Sequence, residues 1–260
     1  MKKLLIGGIV LAALLLPCQL MAQSAFDGTW KIDVSKVHES GKPTIITLKG
    51  GEFTCNCTPP IHVKADGMDH PVTGHPRMDT FAVSEDNDHT ITETAKKDGA
   101  VVQKMTTTVA PDGKTATFES VNTRPDGSST VKGTLTRIGK APAGSNAAAG
   151  TWQNSSFQSA SDDMLMMTYK VDGKTVSMSN PRGESYQATL GGKPAVFKGD
   201  PGTDMVAVKM VGKALQETQM HGGKVTSVST LTVSPDGQTL TMVETQKPGN
   251  RKLTLVAMKQ

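Results

Sequence analysis

Residues 101–109, 114–121 and 130–138 are rich in threonine and valine, and the pairs Asp98-Gly99, Asp112-Gly113 and Asp126-Gly127, spaced by 14 residues, separate them. β-Branched side chains suit a pleated strand. Glycine accepts the positive φ of a tight hairpin turn, and aspartate bonds its own nearby backbone. The rhythm returns at Asp172-Gly173, Gly222-Gly223 and Asp236-Gly237. It predicts about eight to ten short antiparallel strands in each half of the chain and no helix beyond the N-terminal segment. The run Met164-Leu165-Met166-Met167 reads as a strand that is apolar on both faces, with its outer side covered.

The chain is written twice. Gly28-Thr29-Trp30 returns as Gly150-Thr151-Trp152, and Gly74…Asp79 returns as Gly199…Asp204. Thr106-Thr107-Thr108-Val109-Ala110-Pro111-Asp112-Gly113 returns as Thr230-Leu231-Thr232-Val233-Ser234-Pro235-Asp236-Gly237. The three spacings are 122, 125 and 124 residues, far beyond the roughly 20–50 of stacked solenoid units, so each copy is expected to be a domain. The expected division is 26–138 for the first repeat, a small-residue, Gly/Pro-containing linker over 139–149, and 150–260 for the second. Many short antiparallel strands must close on themselves or stack, because open edges aggregate. The expected fold is all-β: two tandem antiparallel up-and-down β-barrels, with β-sandwiches as the alternative.

Residues 1–22 carry a secretory pattern. Lys2 and Lys3 precede an almost unbroken apolar run over 4–16, about 13 residues against the roughly 20 that a membrane span needs. Cleavage is expected after Ala22, with Ala25 as the second choice. Leu15-Leu16-Pro17-Cys18 resembles a lipidation box, with proline where a small residue is expected. The protein is thus read as exported, periplasmic or extracellular, with no stable membrane span once the signal is removed. Cleavage leaves 26 basic against 24 acidic residues, with Lys96-Lys97 and Arg251-Lys252 the only adjacent basic pairs, so no nucleic-acid-binding face is read. Aromatic residues make up only 4% of the chain, which leaves little for base or sugar stacking.

Ala25-Phe26-Asp27-Gly28-Thr29-Trp30-Lys31 resembles the opening of intracellular fatty-acid-binding proteins, and Gly28-Thr29-Trp30 the Gly-x-Trp mark of lipocalins. The resemblance implies that Trp30 and, in the second copy, Trp152 close one end of a barrel. The chain lacks the helical lid and the Arg-x-Tyr carboxylate clamp of fatty-acid-binding proteins, so no ligand site carries over. Over nearly its whole mature length it resembles a group of exported bacterial lipocalin-like proteins without an assigned activity. The shared marks are the Gly-Thr-Trp start, Ala65-Asp66-Gly67…His70-Pro71-Val72-Thr73-Gly74-His75-Pro76, and Pro111-Asp112-Gly113-Lys114-Thr115.

Candidate chemistry centres on Cys55 and Cys57. In a regular strand their Cα atoms would lie about 6.6 Å apart with near-parallel Cβ atoms, so a disulfide needs a bend, which Pro59-Pro60 favours. The readings are a disulfide or inert thiols, a redox pair, or a soft-metal site completed by His62. Alignment through Gly74 and Gly199 sets the cysteines against Asn180 and Arg182, so the pair belongs to the first copy alone. His70 and His75 read as loop residues. The methionines of the second copy, Met164, Met166, Met167, Met178, Met205, Met210, Met220, Met242 and Met258, read as core or cavity lining. No catalytic residue and no cofactor is assigned, since no nucleophile elbow, zinc-protease motif, P-loop or dinucleotide fingerprint occurs. The leading expectation is a non-catalytic protein that binds a small apolar or amphipathic ligand in a barrel, through residues the sequence does not name. The alternatives are a structural protein with filled barrels that binds a cell-envelope protein partner, and a redox or soft-metal role at Cys55 and Cys57.

Overall fold

The computed structural model describes residues 24–260 apart from Asp126 and Pro248. The expected signal peptide at 1–22, with Cys18 and the cleavage site, lies outside the described residues. The chain runs through β1 (Gly28–Ile32), β2 (His38–Ser40), β3 (Thr44–Lys49), β4 (Glu52–Cys55), β5 (Ile61–Lys64), β6 (His70–Pro71), β7 (Thr80–Asn87), β8 (Thr90–Lys97), β9 (Ala100–Val109), β10 (Thr115–Arg124) and β11 (Gly127–Gly139). It continues through β12 (Gly150–Ala160), the short helix α1 (Asp162–Leu165), β13 (Met166–Asp172), β14 (Thr175–Ser179), β15 (Ser185–Thr189), β16 (Ala195–Lys198), β17 (Met205–Val211), β18 (Ala214–His221), β19 (Lys224–Val233), β20 (Thr239–Gln246) and β21 (Lys252–Lys259), and a 3-10 turn over Val34–Lys36 lies between β1 and β2.

The fold is all-β, and two antiparallel barrel-like sheets make it up. Barrel I is a ten-stranded sheet in the order β5-β4-β3-β12-β11-β10-β9-β8-β7-β6. Its ladder is interrupted between β5 and β6, where the isolated bridge Asp66–Ser84 and the bond from Gly67 N to Val83 O hold the loop 65–67 against β7. Barrel II runs β13 through β21 and is closed by β1, which pairs with both β13 and β21; the short β2 lies alongside β21. The predicted turns at Asp98-Gly99, Asp112-Gly113, Asp172-Gly173, Gly222-Gly223 and Asp236-Gly237 fall at or beside the ends of successive strands, while Asp126 lies outside the described residues. Asp98 and Gly99 both take positive φ, 51° and 78°, as the two central residues of a tight hairpin turn require.

The repeat boundaries and the barrel boundaries differ by one strand each. β1, the first strand of the first repeat, pairs Gly28 with Tyr169 and Trp30 with Met167 and Lys259, all in the second half. β12, the first strand of the second repeat, pairs Gly150 with Ile46 and Trp152 with Thr44, in the first half, and lies along β11. The spans 26–138 and 150–260 thus describe the sequence repeat and need correction as barrels: each barrel takes its Gly-Thr-Trp strand from the other half. The path explains why. After β11 the chain turns back and adds β12 as the next strand of the same sheet, which fills the place beside β3. β1 is then left to fill the equivalent place in barrel II.

The expected linker 139–149 is also corrected. Gly139 ends β11, and Ala148 and Ala149 are fully buried in the barrel I core, where such small side chains fit beneath Trp152. The helix-free expectation and the strand over 164–167 change as well. Asp162 and Asp163 occupy the first turn of α1, where acidic side chains suit the positive helix end, and the strand starts only at Met166. Leu165 is buried, and Met166 and Met167 pair with Lys31 and Trp30 of β1.

The two cores stay separate. One gathers Trp30, Tyr169, Val176, Leu215, Leu231 and Leu240 inside barrel II; the other gathers Trp152, Leu48, Phe53, Val83 and Ile91 inside barrel I. Between the barrels, Arg77 forks onto Asp200 at 2.7–3.0 Å and Arg124 reaches Glu184 and the carbonyl of Arg182.

Candidate functional site

One end of each barrel is sealed in the same way. Trp30 and Trp152 are fully buried, and each donates its indole N–H to the carbonyl four residues upstream, Phe26 at 2.9 Å and Ala148 at 2.8 Å. A cation from the last strand of the receiving barrel's own repeat lies over each ring: Lys259 over Trp30 at 5.3 Å and Arg137 over Trp152 at 4.1 Å. Arg137 also donates to the carbonyls of Gly113, Ala147 and Ala149. A Cβ on Gly150, whose φ is +135°, would meet the Arg137 guanidinium at 2.3 Å, which is why this position is glycine.

Away from the tryptophan the inward-facing residues become less buried. Alternate residues of β9 share the inward face, and they pass from buried Val109 and Thr107 to half-buried Met105 and Gln103, beyond which a bulge turns exposed Val101 outward, opposite Lys96. On β18 the same face passes from buried Leu215 and Glu217 to half-buried Gln219 and His221. Each barrel is thus a cup in outline only: an apolar, tryptophan-sealed floor filled by its own packed side chains lies below a more polar upper wall, where Gln103 donates to Ser120 in barrel I and Ser227 donates to Gln219 in barrel II.

A glutamate sits at the same height in each wall. Glu93 on β8 is 6% exposed and Glu217 on β18 is 2% exposed. Both are inward-facing neighbours of a buried valine on the preceding strand, Val83 and Val208. Glu217 accepts hydrogen bonds from the hydroxyls of Tyr169, at 2.9 Å, and Tyr186, at 2.5 Å. Burial raises its carboxyl above the ordinary range, the two hydroxyls pull it back, and nearby Glu244 adds to the rise. The tyrosines in turn are held well above their usual pKa, by burial first and by the Glu217 charge second.

Glu93 has no such support. Its Oε2 is buried with no hydrogen-bond partner, and burial pushes its carboxyl up to about 7. The ladders show what is missing. In barrel II the row runs Gly28–Tyr169–Met178–Tyr186, and in barrel I it runs Gly150–Ile46–Cys55–Ile61. Ile46 and Ile61 thus stand where the two tyrosines stand. The same rows place Met178 opposite Cys55, two residues from the Asn180 suggested by aligning glycines. Sequence reading missed both glutamates. The signal is a charged residue on the inward parity of a strand, Ile91-x-Glu93-x-Ala95, that returns 124 residues later as Leu215-x-Glu217-x-Gln219.

Cys55 and Cys57 form a disulfide with their Cα atoms 5.1 Å apart. The bend lies at Asn56, whose Oδ1 accepts from Ile45 N and whose Nδ2 donates to Pro43 O, tying the turn to the start of β3. His62 is not brought to the sulfurs. It lies on the outer face of β5, paired with Thr54 and 3.3 Å from Glu52, while Cys55 faces the core. His70 contacts Asp66 at 2.8 Å. Among the described residues no group of three or more His, Cys, Asp or Glu side chains is placed to hold a metal ion, and no helix is long and apolar enough to cross a membrane.

Two shallow concavities, of about 180 and 420 Å³, lie on β13–β16 of barrel II; the larger is lined by Ser177, Ser185, Tyr186, Gln187, Val196 and Lys198. No protein-family model, no curated protein and no solved structure matches the chain.

Proposed function

We propose that this is an exported, non-catalytic protein that binds a small amphipathic molecule inside a lipocalin-like barrel. The observation that carries the reading is the cup: an apolar floor under a tryptophan seal, with a buried carboxylate on the wall below a half-exposed rim. An apolar tail would lie against Ile91, Val83 and Phe53, and a polar group would meet the wall at the height of Glu93. Met105, half-buried at this level, has the flexible side chain that lets such an interior adapt to its occupant.

The test is native mass spectrometry of protein purified from its own host, together with uptake of the neutral probe N-phenyl-1-naphthylamine. A small-molecule mass lost on denaturation, and probe fluorescence that rises on mixing, are expected. An unliganded mass with no probe uptake overturns the reading. It would favour the second one, an envelope interaction protein, for which the concavity of about 420 Å³, with exposed Val196 in its lining, offers an outer docking wall.

A further inference from the structure

The two cups are unequal, and the inequality says what barrel I lacks. A carboxylate withdrawn from water is costly unless hydrogen bonds or an opposite charge replace the lost hydration. Barrel II supplies that replacement from its own chain, through Tyr169 and Tyr186. Barrel I keeps the glutamate at the same place but carries isoleucine at both donor positions. Glu93 Oε2 has no partner among the described residues, and the wall amide of Gln103, two residues along β9 from the Glu93 ladder partner Met105, is already given to Ser120. The ladder neighbours Val83 and Met105 offer no side-chain donor. The site is also approachable: Met105 and Gln103 are half-buried, and the interrupted seam between β5 and β6 lies against β7, one strand from Glu93.

We propose that the occupant of barrel I is an amphiphile with a protonated amine headgroup, whose N–H groups bond to the Glu93 carboxylate and whose charge balances it, while barrel II, with its carboxylate already bonded by tyrosines, takes no such ligand. The inference rests on the cup reading above and adds the chemistry of the headgroup. An ammonium group carries three donors and one positive charge, so it meets both deficits of the site at once, which a hydroxyl or a carboxylate headgroup does not. The acyl or alkyl part would point from Glu93 past Ile91 toward the Trp152 floor, whose fully buried side chains would have to part to admit it.

Isothermal titration calorimetry on the full mature chain, with three probes of equal chain length, decides the matter: dodecylamine, dodecanol and dodecanoate, each below its micelle concentration at pH 7.5. Dodecylamine is expected to bind once per chain and at least ten-fold more tightly than the other two, and Glu93→Gln is expected to remove that preference. Equal affinity for all three, two equivalent amine sites per chain, or a preference that survives Glu93→Gln overturns the headgroup inference and leaves the cup reading standing. If none of the three binds and the neutral probe is also refused, the cup reading itself fails. Should Glu93→Gln not fold, the order of the three probes on the unaltered protein is decisive by itself.

Discussion

Barrel I and barrel II carry a glutamate at one and the same ladder position, and their surroundings turn it into two different chemical objects. In barrel II, Glu217 is the acceptor of a closed internal network, fixed by two phenol hydroxyls that are themselves buried. In barrel I, Glu93 keeps an oxygen without a partner, because the strands opposite offer Ile46 and Ile61. A repeated residue, then, need not have a repeated role. What decides is the set of donors on other strands of the same barrel, and that set can change while the backbone does not.

The largest effect should come from breaking the exchange that joins the barrels. Deleting residues 24–33 removes β1 and Trp30, so barrel II loses the strand that closes its ring. Loss of a buried Trp alone is worth about 3–5 kcal/mol. Hydrogen exchange is expected to accelerate across β13 and β21, while β8–β10 of barrel I stay protected. Equal acceleration in both barrels would show that β1 does not belong to barrel II alone.

Next in size is a pH effect that separates the two glutamates. The folded state holds the Glu93 carboxyl at about 7 against an ordinary 4.5, so between these values the folded chain binds a proton that the unfolded chain does not. The contribution of this group to stability is therefore fully present below pH 4.5 and is lost as pH rises through 7, by about 3 kcal/mol at 1.36 kcal/mol per pH unit. Urea denaturation at pH 4.5 and pH 8 should show this loss, and Glu93→Gln should reduce it by roughly that amount. An unchanged pH slope in the variant would mean that Glu93 is solvated in the folded protein. Glu217, also raised by burial, contributes in the same direction and remains in both proteins.

The smallest effect tests the tyrosine grip. Tyr186→Phe keeps the ring against Phe197 but removes one of two donors to Glu217, at a cost of about 1–2 kcal/mol. A near-zero cost by thermal or urea denaturation would show that the network tightens nothing, and would remove the contrast between the cups.

Much of the strand pattern was readable in the sequence, because hairpins are local. An Asp-Gly pair between two Thr- and Val-rich stretches states both the turn and its neighbours, as Asp98-Gly99 does for β8 and β9. The spacing of the two cysteines says only that a disulfide between them needs a bend; the bend lies at Asn56, held by Ile45 and Pro43, rather than at Pro59-Pro60. The strand exchange was not readable, since Gly28-Thr29-Trp30 and Gly150-Thr151-Trp152 are the same message, and nothing local says which barrel each will enter. α1 was missed because the apolar run Met164-Leu165-Met166-Met167 hides a turn set by the two acids before it. Glu93 and Glu217 went unread because a glutamate among threonines looks like an outward-facing strand residue until parity is compared across the repeat. The absence of a donor to Glu93 lies in residues 46 and 61, far away in sequence and brought into the same barrel only once the ladder is formed.

The crossed arrangement of β1 and β12 also sets an order of events during synthesis. β1, the first of the described strands, has its partners at Tyr169 and Met258, more than half the chain later, so it has no neighbour in its own sheet until β13 has been made. Pairings of such long sequence separation form slowly. Barrel II closes only when β1, the first of the described strands, meets β21, the last.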